Sequence, residues 1–328
     1  MPADSLLERM ERARRASHAV HGRRICFYLP GMFWRDGRTG RYPALSVTGT
    51  RCLQGCAHCG GKLLEDMLAV PTPDELFERC RTLQSKGIQG VLVSGGCLGG
   101  GRLPWKDFLP AIARIKQELG LFVSVHSGML DRETARGLRA SGADQVLLDV
   151  AGSPETYAEV LHLPGGLDLL RETLAFAQEA GLDIVPHVIA GLHFGQIRGE
   201  ERALEAIAEH APKLLCIVSW MPIPGTAMQG CQPPQPEDVC ALIVRARELM
   251  PQTEISLGCA RERGRNARKL ELLALATGVN RMALPSDEAV EQARAMGLAV
   301  EFRTTCCSAA IGPASPSWDS GEGEETIC

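Results

Sequence analysis

Cys52, Cys56 and Cys59 lie in one short stretch, VTGTRCLQGCAHCGGK (47–62), at C-x3-C-x2-C spacing. Thiolates are the usual ligands of iron–sulfur clusters, and four of them fill an ordinary [4Fe–4S] cluster. Three at this spacing can hold three irons and leave the fourth open to a small molecule. Other readings stand open on these residues alone. His58 could join the cysteines on a zinc ion, although neighbours such as His58 and Cys59 rarely converge on one metal. Buried free cysteines can be plain core, but three in a Gly- and Thr-rich loop pack poorly. A disulfide suits a secreted chain better.

The chain holds thirteen cysteines among 328 residues, and its N-terminus, MPADSLLERMERARR, is charged and without a signal-peptide apolar stretch. Such cysteine usage points to metal or redox chemistry rather than a disulfide framework, and the expected location is cytoplasmic. A formal net charge of −4 argues against broad nucleic-acid binding. No apolar run approaches the ~18 residues that a bilayer span needs, so no membrane partner is expected.

A short apolar run, Ala44 to Val47, leads into the cysteine loop, and strand and helix patterns alternate from there. Expected strands cover 44–47, 90–96, 121–128, 145–152, 183–191, 213–222, 254–259 and 281–286. Helices are expected near 72–87, 108–119, 131 onward, between 152 and 183, and near 236–249, 265–277 and 287–296. Thr72-Pro73-Asp74-Glu75 is a capping box with proline at the first helical position. Cys80 falls on the apolar face of the helix it opens and reads as core. Near-continuous apolar strands between amphipathic helices mean a parallel sheet covered on both faces. Eight such units in about 250 residues predict an α/β fold, a (β/α)8 TIM-type barrel, closed or nearly closed. Residues 1–43 read as a lead-in, with a helix over 4–18 and an aromatic strand and loop over 25–43 that cover something. Residues 44–303 form the barrel, and 304–328 a Cys-Cys segment with a Pro/Gly/Ser-rich tail expected to be disordered.

Chemistry in a parallel barrel sits at the C-terminal ends of its strands. The unusual residues collect there: the cysteine loop, Ser94-Gly95-Gly96-Cys97, His126, Asp149, His187 with Gly191, and Cys259. Each could alone be a satisfied core residue; their shared rim is the signal. The run Arg261, Arg263, Arg265, Arg268 and Lys269 could hold a carboxylate or an acidic carrier, or could simply be a solvated helix start.

The cysteine loop resembles the signature of the radical S-adenosylmethionine (SAM) enzymes, in which SAM chelates the open iron; His58 stands where members often carry an aromatic residue. Over roughly residues 44–300 the chain resembles the biotin synthase branch. The resemblance implies a [4Fe–4S] cluster on Cys52, Cys56 and Cys59, and one-electron cleavage of SAM to a 5′-deoxyadenosyl radical. Ser94, Gly95 and Gly96 match the glycine motif that binds the SAM amino group, with Cys97 where the family has an acidic residue. His126, Asp149, His187 and Gly191 are the other expected cofactor contacts. Sulfur-inserting members carry an auxiliary cluster, and Cys97, Cys259, Cys306 and Cys307 are its expected ligands here. Cys216 is left open between inner strand and core; Cys26 reads as core, and Cys231, Cys240 and Cys328 as structural or exposed. The strings ALSVTGTRC, CAHCGGKLL and SGGC look like the two-protein lipoyl synthases first recognised in archaea. That likeness implies sulfur insertion into a protein-bound octanoyl chain. It also implies a ferredoxin- or flavodoxin-type electron donor, a second radical SAM subunit and a lipoyl-carrier protein as partners.

Overall fold

The computed structural model describes residues 4–31, 33–35 and 37–309. The tail expected to be disordered lies, beyond Ala309, outside the described residues, as does Cys328. Helix α1 (Leu6–His21) starts at Ser5, whose side chain accepts from the Glu8 amide while Glu8 reaches back to the Ser5 amide. Strand β1 (Arg24–Tyr28) follows, then a hairpin of β2 (Trp34–Arg35) and β3 (Arg38–Thr39). The alternation then runs β4 (Ala44–Ser46), β5 (Leu68–Ala69), α2 (Pro73–Ser85), β6 (Gly90–Ser94), α3 (Trp105–Arg114), β7 (Phe122–His126), α4 (Arg132–Ala140) and β8 (Gln145–Val150). It continues with α5 (Gly166–Glu179), β9 (Ile184–Ala190), α6 (Glu200–Ala208), β10 (Leu214–Ser219), α7 (Pro236–Leu249), β11 (Glu254–Leu257), α8 (Arg265–Thr277), β12 (Arg281–Ala283), α9 (Asp287–Ala295) and β13 (Ala299–Arg303).

Eleven of these strands form one parallel sheet in the order β13-β1-β12-β11-β10-β9-β8-β7-β6-β4-β5. Its ends, β13 and β5, are not paired with each other, so the sheet curls into an open barrel. All eight expected strands are present, and the N-caps fall as predicted: Thr72 accepts from the Glu75 amide, which is one half of the expected capping box, and Asp131 from the Thr134 amide at 2.8 Å. No described helix is long and apolar enough to cross a membrane.

The structure adds elements the periodicity did not give. β1 lies within the sheet, hydrogen-bonded between β12 and β13, with Ile25 and Phe27 fully buried. Residues 24–28 are therefore continuous with the barrel rather than a cover over it. An apolar run such as RICFY reads as a strand, but its partners are set by tertiary packing. Helix α6, with Ala203, Leu204 and Ile207 buried, was hidden among charged residues.

The sheet's two faces differ. The outer face packs on the helices in two large apolar clusters, one of them built around Leu45, Leu76, Val91, Ile112 and Leu138. On the inner face Leu147, Val185 and Leu214, with Leu92 packed against them, close the lumen with an apolar plug. Side chains alternate along a strand, so the residue two places further faces the same way. Those residues are Ser94, Asp149, His187 and Cys216. A polar layer thus sits directly above the plug. Register carries it on through the neighbours Cys216↔Ser256, Ser256↔Arg281 and Arg281↔Cys26.

Candidate functional site

The cysteine loop leaves β4 and folds over one side of this layer. Tight turns bring Cys56 and Cys59 together: the Gly60 and Cys59 amides donate to the Cys56 carbonyl at 2.8 and 3.3 Å, and the Cys56 thiol donates to the Leu161 carbonyl at 3.5 Å. The two neighbouring thiols act on each other, which holds Cys59 low and pushes Cys56 up. Cys52 lies against Gly96, so close that a Cβ at Gly96 would sit 2.7 Å from the Cys52 Cα and 2.1 Å from the Arg51 carbonyl oxygen. The Gly96 amide donates to Thr48 Oγ1 at 2.7 Å, and the Leu53 amide to the Cys97 carbonyl at 2.7 Å. The loop and the Ser94-Gly95-Gly96 turn therefore form one body. Gly96→Ala is expected to break that contact, costing about 3 kcal/mol of overpacking. The thermal midpoint of the apo protein checks it: a fall is expected, where Gly230→Ala, with open space around it and no positive φ, serves as the comparison.

A cavity of about 210 Å³ opens beneath the loop. The three cysteines border it with His58, Ser94, Gly95, Gly96, His126 and Asp149. His58 Nδ1 is buried there without a hydrogen-bond partner. Leu103, Met129, Leu148 and Leu163 make its apolar side. Five of the seven expected cofactor contacts are thus brought together. Gly191 is not in the lining: its amide donates to Glu200 Oε1 at 2.8 Å, and Pro234 packs on it. It fixes the end of β9. His187 faces the other side of the lumen.

Cys97, expected with Cys259, Cys306 and Cys307, borders this first cavity instead. Burial pushes its thiol up to about 12, and the charges that act on it are those of Cys52, Asp149 and Cys59. The reason is the turn after β6, which Gly96 pins to the cysteine loop.

A second group of thiols occupies the opposite half of the barrel. Cys216 projects from the middle of β10, Cys259 follows β11, and Cys306 and Cys307 come from the segment after β13. Cys307 lies beside Cys216 and Cys306, and the neighbouring thiols lower its own and raise theirs. Cys259, raised to about 11 by burial and the nearby Cys307, completes the group. Cys216, not Cys97, is the fourth member. Gly258 keeps room for it: a Cβ there would lie 2.7 Å from the Cys216 sulfur. Among the described residues no three His, Cys, Asp or Glu side chains close on a single metal-ion position.

His126, Asp149 and His187 stand between the two groups. His126 Nε2 lies 3.3 Å from Asp149 Oδ1, and the two imidazoles are 5.9 Å apart. Burial deep in the barrel would raise the Asp149 carboxyl, but His126 outweighs it and holds the group down at about 2. The carboxylate nonetheless faces the open lumen, with 46% of its side chain exposed. His187 Nε2 meets Ser308 Oγ at 2.9 Å, beside Cys307, and burial lowers its imidazole.

The basic run is largely spent within the chain. Arg261 is buried against Glu271 at 2.7 Å and donates to the Gly258, Ala283 and Leu284 carbonyls; Arg268 pairs with Glu288 and Lys269 with Glu237. Sequence reasoning missed Gln54, whose amide donates to the Leu161 and His162 carbonyls and accepts from the Gly101 amide. It also missed Tyr157, which lines the cavity. Neither carries a spacing signal.

Comparison with known proteins agrees with this geometry. The Radical SAM superfamily model matches residues 46–195. Biotin synthase from Bordetella avium is 29% identical over 236 residues, covering 70% of this chain and 69% of that one. The Leptothrix cholodnii biotin synthase is 26% identical over 247 residues, covering 72% and 69%. Methylornithine synthase shares the fold, with a TM-score of 0.63 over 92% of this chain and 91% of that one at 19% identity. So does the FeFe-hydrogenase maturase HydG from Carboxydothermus hydrogenoformans, with a TM-score of 0.61 over 92% and 73% at 17% identity. With its three loop cysteines on the rim of an open parallel barrel, the chain resembles the Radical SAM superfamily over residues 46–195 and is distantly similar to the biotin synthases.

Proposed function

We propose that this enzyme inserts sulfur into unactivated C–H bonds, with Cys52, Cys56 and Cys59 holding a [4Fe–4S] cluster to which SAM binds. Cys216, Cys259, Cys306 and Cys307 hold a second iron–sulfur cluster. The observation that carries the reading is the second thiol group: four cysteines from three separate parts of the chain meet on the inner wall, across the lumen from the first three. Both donor sets suit iron–sulfur clusters, which are bound by thiolates, and loading must release the thiol protons.

When bound, the first cluster and SAM supply the one-electron chemistry that removes hydrogen from carbon, and the second supplies sulfur. The chain's own part is positional. Glycine at 95 and 96 lets the backbone approach the SAM amino group. Asp149, held ionised by His126, offers an acceptor to SAM hydroxyl or ammonium groups. Leu103, Met129, Leu148 and Leu163 exclude water from the reacting carbon. The substrate would lie in the lumen between the two thiol groups.

The lipoyl synthase resemblance makes a protein-bound octanoyl chain the first substrate to try. It brings with it a ferredoxin- or flavodoxin-type donor and a second radical SAM subunit as partners. The test is an anaerobic single turnover of the reconstituted enzyme with octanoylated carrier, read by mass spectrometry. A thiolated octanoyl product is expected. SAM cleavage with unaltered carrier would remove the lipoyl reading. Hydrogen loss from the chain without sulfur gain would favour a radical SAM methylase or mutase instead.

A further inference from the structure

We infer that Arg281 is the positioning residue of the second thiol group: its guanidinium fastens the Thr304–Ala309 segment inside the barrel and so sets Cys306 and Cys307 against Cys216. The inference rests on the second-cluster reading above. Two of that group's four cysteines lie on a segment with no regular structure, so something other than a helix or strand must hold them in place.

Strand β13 delivers the segment, and its last ties to the sheet edge are Arg303, whose carbonyl accepts from the Leu29 amide at 2.8 Å, and Thr304, whose carbonyl accepts from the Arg41 amide at 2.5 Å. Beyond these, one turn closes on itself where the Ala309 amide donates to the Cys306 carbonyl at 3.0 Å. The ties into the barrel are side-chain contacts. His187 meets Ser308, and Arg281 Nη1 donates to the carbonyls of both Cys307 and Ala309 at 3.2 Å each.

Arg281 is built for this. It belongs to the polar inner layer, one strand from Ser256 and one from Cys26. Its Nε and Nη2 are locked on Glu254 at 2.7 and 2.5 Å, and only 14% of the side chain is exposed. A planar fork fixed at two nitrogens can aim the third in one direction only. That direction is the backbone of the cysteine segment. Were Arg281 merely the partner of Glu254, its two bonds to the segment's carbonyls would have no purpose. Cys307, on that segment, is 1% exposed.

The test uses the full chain in two states. In the apo protein, iodoacetamide labelling of Cys306 and Cys307 is followed by mass spectrometry. In the reconstituted protein, iron per chain and SAM cleavage are measured. Arg281→Met is expected to raise Cys307 labelling about tenfold, which corresponds to freeing a group from a buried to an open population. It should lower iron from about eight to about four per chain, while SAM cleavage, which reports on the fold and the first site, persists. Should Arg281→Met fail to fold, Arg281→Lys carries the test, because an ammonium cannot hold Glu254 and both carbonyls; labelling should rise several-fold. Wild-type labelling with unchanged iron in whichever variant folds overturns the role of Arg281. About four irons in the wild type itself would instead overturn the second-cluster reading, and this role with it.

Discussion

Replacing Cys52, Cys56 and Cys59 together by alanine abolishes reductive formation of 5′-deoxyadenosine from SAM. The loss expected is about 10⁴-fold or more, since the whole rate enhancement depends on the group those thiolates hold. The structure explains why no neighbour can substitute. Cys97 borders the same cavity, but its carbonyl is tied to the Leu53 amide and its backbone to the turn that Gly96 fixes against Cys52. Anaerobic turnover with dithionite and quantification of 5′-deoxyadenosine check the point. Retained cleavage in the triple variant would remove the first site from the chemistry.

Cys216→Ala and Cys307→Ala each cost the second cluster, taking iron from about eight to about four per chain, and end sulfur insertion while leaving SAM cleavage within a few-fold of wild type. Cys307 is the thiol that both Cys216 and Cys306 act on, so its removal breaks the group at its centre. Cys216 is the member held from a strand, in space that Gly258 leaves free. Cys97→Ala, by contrast, should keep the full iron count. Iron and sulfide assays with Mössbauer spectra distinguish these outcomes. Loss of iron in Cys97→Ala with full iron in Cys216→Ala would restore the grouping that the sequence alone had suggested.

Much of this was legible before the fold was seen. The C-x3-C-x2-C loop stands out because three thiols at that spacing must lie close together on one turn. The alternation of apolar strands and capped helices gives the barrel because both signals are local. The helices Pro236–Leu249 and Arg265–Thr277 begin and end where their patterns do. What the sequence withheld is what depends on three dimensions. Cys97 and Cys259 each follow a strand at the same rim, and only the curl of the sheet separates them into opposite halves. Cys216 stood open between inner strand and core, and the period of two places it with Asp149 and His187 in the polar inner layer. Arg281 stands at the head of the short strand RMA, and nothing local shows that its guanidinium reaches the carbonyl of Cys307. The basic run from Arg261 to Lys269 could read as a docking patch or as a solvated helix start; Glu271, Glu288 and Glu237 pair with Arg261, Arg268 and Lys269 within the chain.

The central claim is that two independent thiol sites face one lumen. The most direct measurement is the iron content of the reconstituted Cys52/Cys56/Cys59→Ala variant beside wild type. Two sites predict about eight irons per chain in wild type and about four in the variant, with no SAM cleavage in the latter. A variant that binds no iron, from a wild type that binds about four, would contradict it: the four inner-wall cysteines would then be core, and sulfur insertion would have no source within this chain.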